Sequence, residues 1–358
     1  MDHNPSSTFK ITDKPVAHAP LNPEHIMQVG LGFWASKTLL TAIKLKLFTA
    51  LAEKPALTAN QIREKLKLHE RSYLDFLDAL VSLNFLKREG NGKEAQYSNT
   101  MDTDVFLDKK KPTYLGGILE MADNRLYKFW GNLEEGLKTG NPQNEVKNDP
   151  SKSLFTELYS DKAKMKEFMI AMSGIQIGAF MSFAAQFDFS KYKTVVDAGG
   201  SIGALSIQIA RQHPGIKCIS FDLPQVAEVA KSYVQEQGLS KQIEIASGNF
   251  FENIPKADVV TMGNILHDWS DDDKLKLITK AYDALPKGGA FVCIENMIDD
   301  DRRKNTFGLL MSLNMLIETK EGRDFTYSEF VQWTNKVGFK DQSFLPLAGP
   351  TAAAIAYK

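Results

Sequence analysis

Cysteine is nearly absent from this chain. Cys218 and Cys293 are the two among 358 residues, too few for a disulfide framework or a multi-cysteine metal site. Both stand inside apolar runs, where a free cysteine behaves as a small core residue. An excess of one charge is missing as well: 43 Lys and Arg face 44 Asp and Glu, a net charge of −1. That balance offers no general electrostatic grip on nucleic acid or an anionic membrane. Long apolar runs are scarce too. Gly30–Ala52 is broken by Lys37, Lys44 and Lys46, well short of a membrane span. The opening, MDHNPSSTFKITDKP, lacks the apolar core of a signal peptide. With 43% hydrophobic and 24% charged residues, the expectation is a soluble, cytoplasmic, enzymatic chain of about two domains.

What is present falls into two regimes. Up to about residue 185 the periodicity is helical; from Thr194 short β-branched runs alternate with amphipathic helices, which implies βαβ crossovers and a largely parallel sheet. In the first regime Ile26, Leu31, Phe33, Leu39, Leu40, Ile43 and Leu47 supply a broad apolar face. Thr58-Ala-Asn-Gln61 has the form of a capping box and opens a helix with Ile62 and Leu66. A second helix over His69–Leu86 buries Leu74, Leu77, Leu80 and Val81, and Gly90-Asn-Gly92 leads to a hairpin wing at Ala95–Ser98. Helix, turn, helix, wing invites a DNA-binding regulator as one reading. The charges oppose it: the would-be recognition helix carries Glu70, Asp75 and Asp78 against Arg71, whereas phosphate contact demands a basic face. A packing or dimerisation module fits better. Between Pro112 and Phe189 the chain is again helical, with a Gly/Pro/Asn-rich loop at Lys138–Pro150.

Chemistry first becomes legible after residue 193. Lys193–Asp197 reads as a buried strand, then Ala198-Gly-Gly-Ser-Ile-Gly203 precedes a helix over Ala204–Gln212. Glycines at such a turn let backbone amides approach a ligand. The next strand, Lys217–Asp222, ends in an acid nineteen residues beyond Gly203, placed to accept from a ribose diol. The plainer reading of Asp222 is an N-cap for the helix that follows. An NAD site would favour Gly-x-Gly-x-x-Gly facing a pyrophosphate, and an NAD oxidoreductase ranks last. Here Asp197 stands at the strand tip, where it would repel a pyrophosphate but could receive an ammonium. A ligand with an amino-acid end and a ribose, S-adenosylmethionine (SAM), fits better.

Val259-Val-Thr-Met-Gly-Asn-Ile-Leu-His267-Asp-Trp-Ser-Asp271 then joins Val195-Val-Asp-Ala-Gly-Gly and Phe221-Asp-Leu-Pro-Gln-Val. Three motifs in this order closely resemble the caffeate and acetylserotonin type of small-molecule O-methyltransferases, over most of the chain. The resemblance implies an α/β fold: a Rossmann-like class I methyltransferase sheet of seven strands, preceded by a mostly helical winged-helix dimerisation domain. It implies a dimerisation domain over 20–110, a helical linker contributing to the substrate pocket over 111–190 and a SAM-binding catalytic domain over 191–358. It also implies a homodimer whose N-terminal domain helps to close the partner's pocket, and a terminal antiparallel hairpin from Phe344–Pro350 and Ala352–Tyr357.

On the same resemblance His267 is the general base, with Glu295 and Asp324 orienting it. The second acid is usually Glu in the family, so the shorter Asp324 puts its reach in question. Asn249 stands where Asp commonly contacts the adenine, Gly263 replaces a basic residue, Ser201 a third glycine and Ile175 a pocket His. The cofactor-binding residues expected are Asp197, Gly199, Gly200, Asp222, Leu223, Asn249, Phe250 and Trp269. Met172, by family position, and Met311 and Met315, from the apolar helix Gly308–Leu316, are candidates to clamp an aromatic acceptor, although core packing explains them equally well. That helix is apolar nearly all round and is expected to be buried.

The reaction type explains the residue set. A phenol has a pKa near 10, so a neutral imidazole helps by taking its proton, roughly 10²–10⁴ in rate. A carboxylate on the other ring nitrogen fixes the tautomer and stabilises the imidazolium. Acid runs at Asp271–Asp273 and Asp299–Asp301 raise the question of a metal. The first reads instead as a helix start and the second as a solvated loop, so no metal is expected. The partner predicted is a small, aromatic hydroxyl acceptor, with no nucleic acid and no membrane. The same fold could also methylate N or C, or use SAM without transferring its methyl.

Overall fold

A computed structural model describes residues 21–111, 113–149, 154–159 and 161–358. The polar opening segment with His3 and His18, and Pro112 and Pro150, lie outside the described residues. In the N-terminal part, helices Gly32–Lys44 and Leu47–Glu53 precede the short strand β1 (Leu57–Thr58). Thr58 does form the expected capping box: its hydroxyl accepts from Gln61 N–H at 3.2 Å, and Gln61 accepts from Thr58 N–H at 3.0 Å. Helices Ala59–Leu66 and Tyr73–Ser82 follow, then the wing β2 (Leu86–Glu89) and β3 (Gln96–Asn99), in a sheet of order β1-β3-β2. The second helix is shorter than expected, because Asn84 turns left-handed at φ 62° and releases the chain into β2. Asp78 on that helix is held by the wing, accepting from Tyr97 Oη at 2.7 Å and pairing with Arg88 at 2.8 Å. Leu47, Leu51, Ile62, Leu77 and Leu80 fill the core between these elements.

The linker is helical, and one stretch departs from regular geometry: Ala122–Leu126 makes a π turn between helices Gly116–Met121 and Tyr127–Phe129. The apolar run after residue 153 divides into helices Leu154–Leu158 and Lys162–Gln186. The long helix packs on Gly116–Met121 and on Ala204–Gln212, burying Met169, Phe183 and Ala184. The lysine-broken segment near residue 30 is longer and more apolar than expected. Both 24–44 and 164–186 have the length and hydropathy of a membrane span. Helix 164–186 packs on the sheet domain along part of its surface, and 33% of its apolar window is buried.

The second regime folds as the alternation requires. Strands β4 (Thr194–Ala198), β5 (Lys217–Asp222), β6 (Ile243–Ser247), β7 (Val259–Gly263), β8 (Ala290–Glu295), β9 (Asp341–Pro346) and β10 (Ala352–Tyr357) form one sheet of order β6-β5-β4-β7-β8-β10-β9. The first five are parallel, and β10 inserts antiparallel between β8 and β9 as the terminal hairpin. Val195, Val196, Val259, Val260, Phe291 and Val292 are fully buried, as a sheet covered on both faces demands. Strand order reverses between β4 and β7, so the carboxyl ends of these strands open the crevice where ligands bind in such sheets.

Candidate active site

The crevice is a cavity of about 980 Å³ that opens at the ends of β4, β5, β7 and β8 and runs on between the linker helices. At its sheet end, the turn after β4 is forced tight. Gly199 N–H and Gly200 N–H both donate to the Phe221 carbonyl, at 2.8 and 3.2 Å. Gly199 has φ 80°, and a Cβ there would lie 2.3 Å from Ile265 Cδ1, so a side chain would be strained and would displace Ile265. Ser201, in place of the third glycine, is held left-handed at φ 50°. Its N–H donates to Asp222 Oδ2 at 2.8 Å, while Asp222 Oδ1 accepts from Leu223 N–H at 2.7 Å. The next helix starts at Ala227, so Asp222 caps the loop rather than that helix. Burial raises its pKa against those two amide bonds, and the remaining lone pairs stay available to a diol.

Asp197 is placed differently from the expectation. It lies behind the glycine turn and is absent from the cavity wall. Its Oδ1 accepts from Thr261 Oγ1 at 2.8 Å, and burial pushes its carboxyl up to about 7, against that hydrogen bond. An ammonium would have to reach through the backbone of the turn to meet it. Gly200 likewise shapes the turn from behind, whereas Gly199, Leu223, Asn249, Phe250 and Trp269 all line the cavity. Asn249 Oδ1 accepts from Phe251 N–H at 3.0 Å, which leaves its amide NH₂ and one oxygen lone pair for a ligand. Phe251 stands edge-on to Trp269 with centroids 4.7 Å apart, and Phe250 at 6.1 Å, an aromatic corner suited to a flat heterocycle. At Gly263 a Cβ would meet the Phe180 ring at 3.1 Å, so the linker helix occupies the room a basic side chain would need. Tight glycines, an acid on the second strand and an aromatic corner fit an adenosyl cofactor.

His267 sits one strand over, on the turn Leu266–Asp268 after β7. It is buried yet forms part of the cavity wall. Nδ1 lies 3.3 Å from Asp324 Oδ1 and 3.4 Å from Glu295 Oε2. Both expected acids are therefore brought to one ring nitrogen, and Asp324 is long enough. Glu295, at the end of β8, spends its other oxygen on the turn itself, accepting from the N–H groups of Ile265, Leu266 and His267 at 3.1, 3.0 and 3.4 Å. One carboxylate thus fixes both the turn and the ring. On the opposite side of the ring, Asp268 Oδ1 is 3.6 Å from Nε2. Burial opposes charge on the imidazole, but Glu295, Asp324 and Asp268 outweigh it and raise the His267 pKa. Burial in turn raises Glu295 and Asp268, with the imidazolium opposing.

By distance the same three groups could also ligate a metal, since one ligand atom from each of His267, Glu295 and Asp324 lies within 4.8 Å of the others. The Asp271–Asp273 run does start a helix, capped by Ser270, whose hydroxyl accepts from Asp273 N–H at 3.2 Å. Asp299 proves to be more than a solvated loop residue: it accepts from the amides of Arg303, Lys304 and Asn305.

The far end of the cavity is lined by Met172, Met311 and Met315 as expected, and by Ile175. The helix carrying two of these methionines, Thr306–Glu318, is not buried all round; Phe307 and Leu310 are 41% and 48% exposed. Sequence reasoning missed Asp268, Tyr159, Gln176, Phe251 and Glu318, all on the wall. Asp268 could have been suspected as the neighbour of His267. Glu318 carried no signal.

An open α/β sheet with an adenosyl-shaped crevice and an acid-flanked imidazole beside it defines a class I methyltransferase. Comparison with known proteins specifies the family. Residues 130–340 match the model of the O-methyltransferase domain, and 27–109 that of the O-methyltransferase dimerisation domain. The chain belongs to this family of SAM-dependent O-methyltransferases. It is 38% identical to the tetracenomycin polyketide synthesis 8-O-methyl transferase TcmO of Streptomyces glaucescens, over 94% of this chain and 97% of that one. Among solved structures it is similar to human N-acetylserotonin methyltransferase in complex with SAM (30% identity, 96% and 99% of the chains, TM-score 0.88). It is also similar to PigF with SAH (27% identity, 95% and 100%, TM-score 0.85). The cofactor is SAM.

Proposed function

We propose that this protein, as a cytoplasmic homodimer, transfers the methyl group of SAM to a phenolic hydroxyl of a small aromatic metabolite, with Nε2 of His267 as the general base. The observation that carries the reading is the pairing of His267 Nδ1 with two buried carboxylates, at 3.3 and 3.4 Å, in the wall of the cofactor cavity. With Nδ1–H held there, the neutral tautomer keeps its lone pair on Nε2. An acceptor hydroxyl placed against Nε2 loses its proton to the ring as its oxygen becomes nucleophilic, and Glu295 and Asp324 stabilise the imidazolium that forms. When bound, SAM supplies a methyl group on a cationic sulfur. Asp222 and Asn249, with the Phe250–Trp269 corner, would hold the adenosyl part, and positioning of donor against acceptor is worth roughly 7–11 kcal/mol of barrier. No metal takes part in this scheme. Met172, Met311 and Met315 grip the aromatic ring. The polyketide and acetylserotonin activities in the relatives' names support an aromatic acceptor.

The divisions 20–110, 111–190 and 191–358 are read as dimerisation domain, pocket-forming linker and catalytic domain. The test is a panel of phenols and catechols incubated with methyl-labelled SAM, with products identified by mass spectrometry. Labelled O-methyl ethers together with S-adenosylhomocysteine are expected. Label on nitrogen or carbon, or no label transferred, would overturn the reading.

A further inference from the structure

The cavity wall has an electrical bias that the methyl-transfer chemistry does not require. Among its described residues are Asp222, Asp268 and Glu318, and no Lys or Arg. Asp222 belongs to the cofactor end and Asp268 to the base. Glu318 belongs to neither. It ends the helix Thr306–Glu318, which also carries Met311 and Met315, and it is 6% exposed. Its backbone carbonyl accepts from Asn144 Nδ2 at 2.8 Å, and its Oε2 accepts from Arg125 Nη2 at 3.1 Å. Arg125 comes from the π turn Ala122–Leu126, an irregularity that recurs at functional sites, and is itself clamped by Glu145 at 2.6 and 2.7 Å. The Arg125 bond thus fixes the carboxyl, and the Asn144 bond fixes the backbone that carries it. Its second oxygen, Oε1, is buried with no hydrogen-bond partner, an arrangement that is costly unless something arrives to pair with it. Burial pushes this carboxyl up to about 7, against the Arg125 charge, so it exchanges hydrogen bonds with a hydroxyl in either protonation state.

We propose that Glu318 is the specificity-determining residue for the acceptor: its fixed Oε1 takes a second hydroxyl, remote from the one methylated, and the enzyme selects uncharged di- or polyhydroxylated aromatics over mono-hydroxyl and carboxylate-bearing ones. The inference rests on the O-methyl-transfer reading above and adds the substrate class to it. A site built to hydrogen-bond a hydroxyl rejects an analogue that lacks it, because its own buried polar atom is then left unpaired. A carboxylated acceptor brings a further negative charge to a wall that already carries Asp222, Asp268 and Glu318 and whose described residues include no Lys or Arg.

The experiment compares dihydroxynaphthalene isomers, 2-naphthol and hydroxynaphthoates as acceptors, with SAM saturating. The wild-type enzyme is expected to favour the best diol over both other classes by roughly 10-fold or more in kcat/KM. Glu318→Leu should bring diol and naphthol within about twofold, through KM for the diol, with SAM affinity unchanged. Glu318→Gln keeps the bond to Arg125 and a polar group at Oε1, and should retain the diol preference while relaxing rejection of the naphthoates. It serves where the leucine variant does not fold. An unchanged diol preference in Glu318→Leu, unrelaxed rejection of naphthoates in Glu318→Gln, or a wild-type preference for naphthoates would overturn the proposal. Methylation of none of the hydroxyls would fault the underlying reaction, and the proposal would fall with it.

Discussion

Asp324 Oδ1 stands 3.3 Å from His267 Nδ1, with both side chains shielded from water. The short side chain reaches because its backbone is drawn in: Asp324 N–H donates to Ser312 Oγ at 3.2 Å, which ties the segment to the Thr306–Glu318 helix. Glu295 approaches the same nitrogen from β8, so the ring is oriented twice. His267→Ala should lower kcat by roughly 10²–10⁴ while SAM binding, measured by calorimetry, stays within about twofold. Asp324→Asn should cost less, because Glu295 remains. Full turnover in His267→Ala would remove the general-base role.

The charge around that imidazole sets a pH dependence whose sign is determined. Glu295, Asp324 and Asp268 raise the pKa of His267 against burial, so the protonated ring persists to higher pH than in a free histidine. The base form grows as pH rises, and kcat/KM for the acceptor should climb through the neutral and alkaline range. Asp324→Asn removes one negative charge and should move the rising limb to lower pH, by roughly one unit or more. The same acceptor in both enzymes cancels the acceptor's own ionisation. A shift to higher pH, or none, would show that the limb does not report His267.

Much of this site was legible before the fold was known, and the reasons are local. The strand Lys217–Asp222 and the helix Ala204–Gln212 appear with the bounds that their periodicity and flanking glycines set. His267, Glu295 and Asp324 were found through motif resemblance. Their convergence on one nitrogen depends on β7, β8 and a later loop meeting in space. The same dependence on long-range contact hid Glu318, whose partner Arg125 lies 193 residues away. Asp197 was correctly placed at a strand tip, but the Thr261 hydroxyl on neighbouring β7 keeps its carboxyl inside the sheet. No local pattern announces that bond.

The glycine turn gives a stability prediction of two signs. Ser201 is held at φ 50°, which costs a non-glycine residue roughly 1–2 kcal/mol. Glycine removes that strain but adds unfolded-chain entropy of roughly 0.4–1 kcal/mol. Ser201→Gly should therefore stabilise the protein by about 0.5–1 kcal/mol in denaturant unfolding. Gly199→Ala should destabilise it by about 2 kcal/mol or more, since both φ and Ile265 exclude a Cβ, and should weaken SAM binding. A silent Gly199→Ala would mean the turn is far more pliable than its contacts imply.

Because His267, Glu295 and Asp324 could by distance hold a cation, metal dependence is open to direct test. Glu295 already uses one oxygen on three backbone amides, and the Nδ1–carboxylate contacts suffice to orient the base. Exhaustive treatment with EDTA, followed by assay in metal-free buffer, should leave kcat unchanged within error. Loss of activity restored by one added divalent ion would reassign the three residues as ligands.

The N-terminal helices carry a surface that needs a cover. Helix Glu24–Gly30 has no buried residue, although Ile26, Met27 and Val29 lie on it, and Phe33 and Trp34 beyond it are 51% and 61% exposed. An apolar helix without core contacts exposes surface that water does not favour, and the matching dimerisation-domain model makes a second copy the natural cover. Double substitution of Phe33 and Trp34 to Asp should convert a dimer to a monomer in sedimentation velocity, while near-UV circular dichroism of the sheet domain and SAM affinity persist. If the partner's N-terminal domain also helps to close the acceptor pocket, the monomer should show a raised acceptor KM at unchanged SAM affinity. A wild-type protein that sediments as a monomer at micromolar concentration would refute the dimer. An unchanged acceptor KM in a true monomer would confine the interface to assembly.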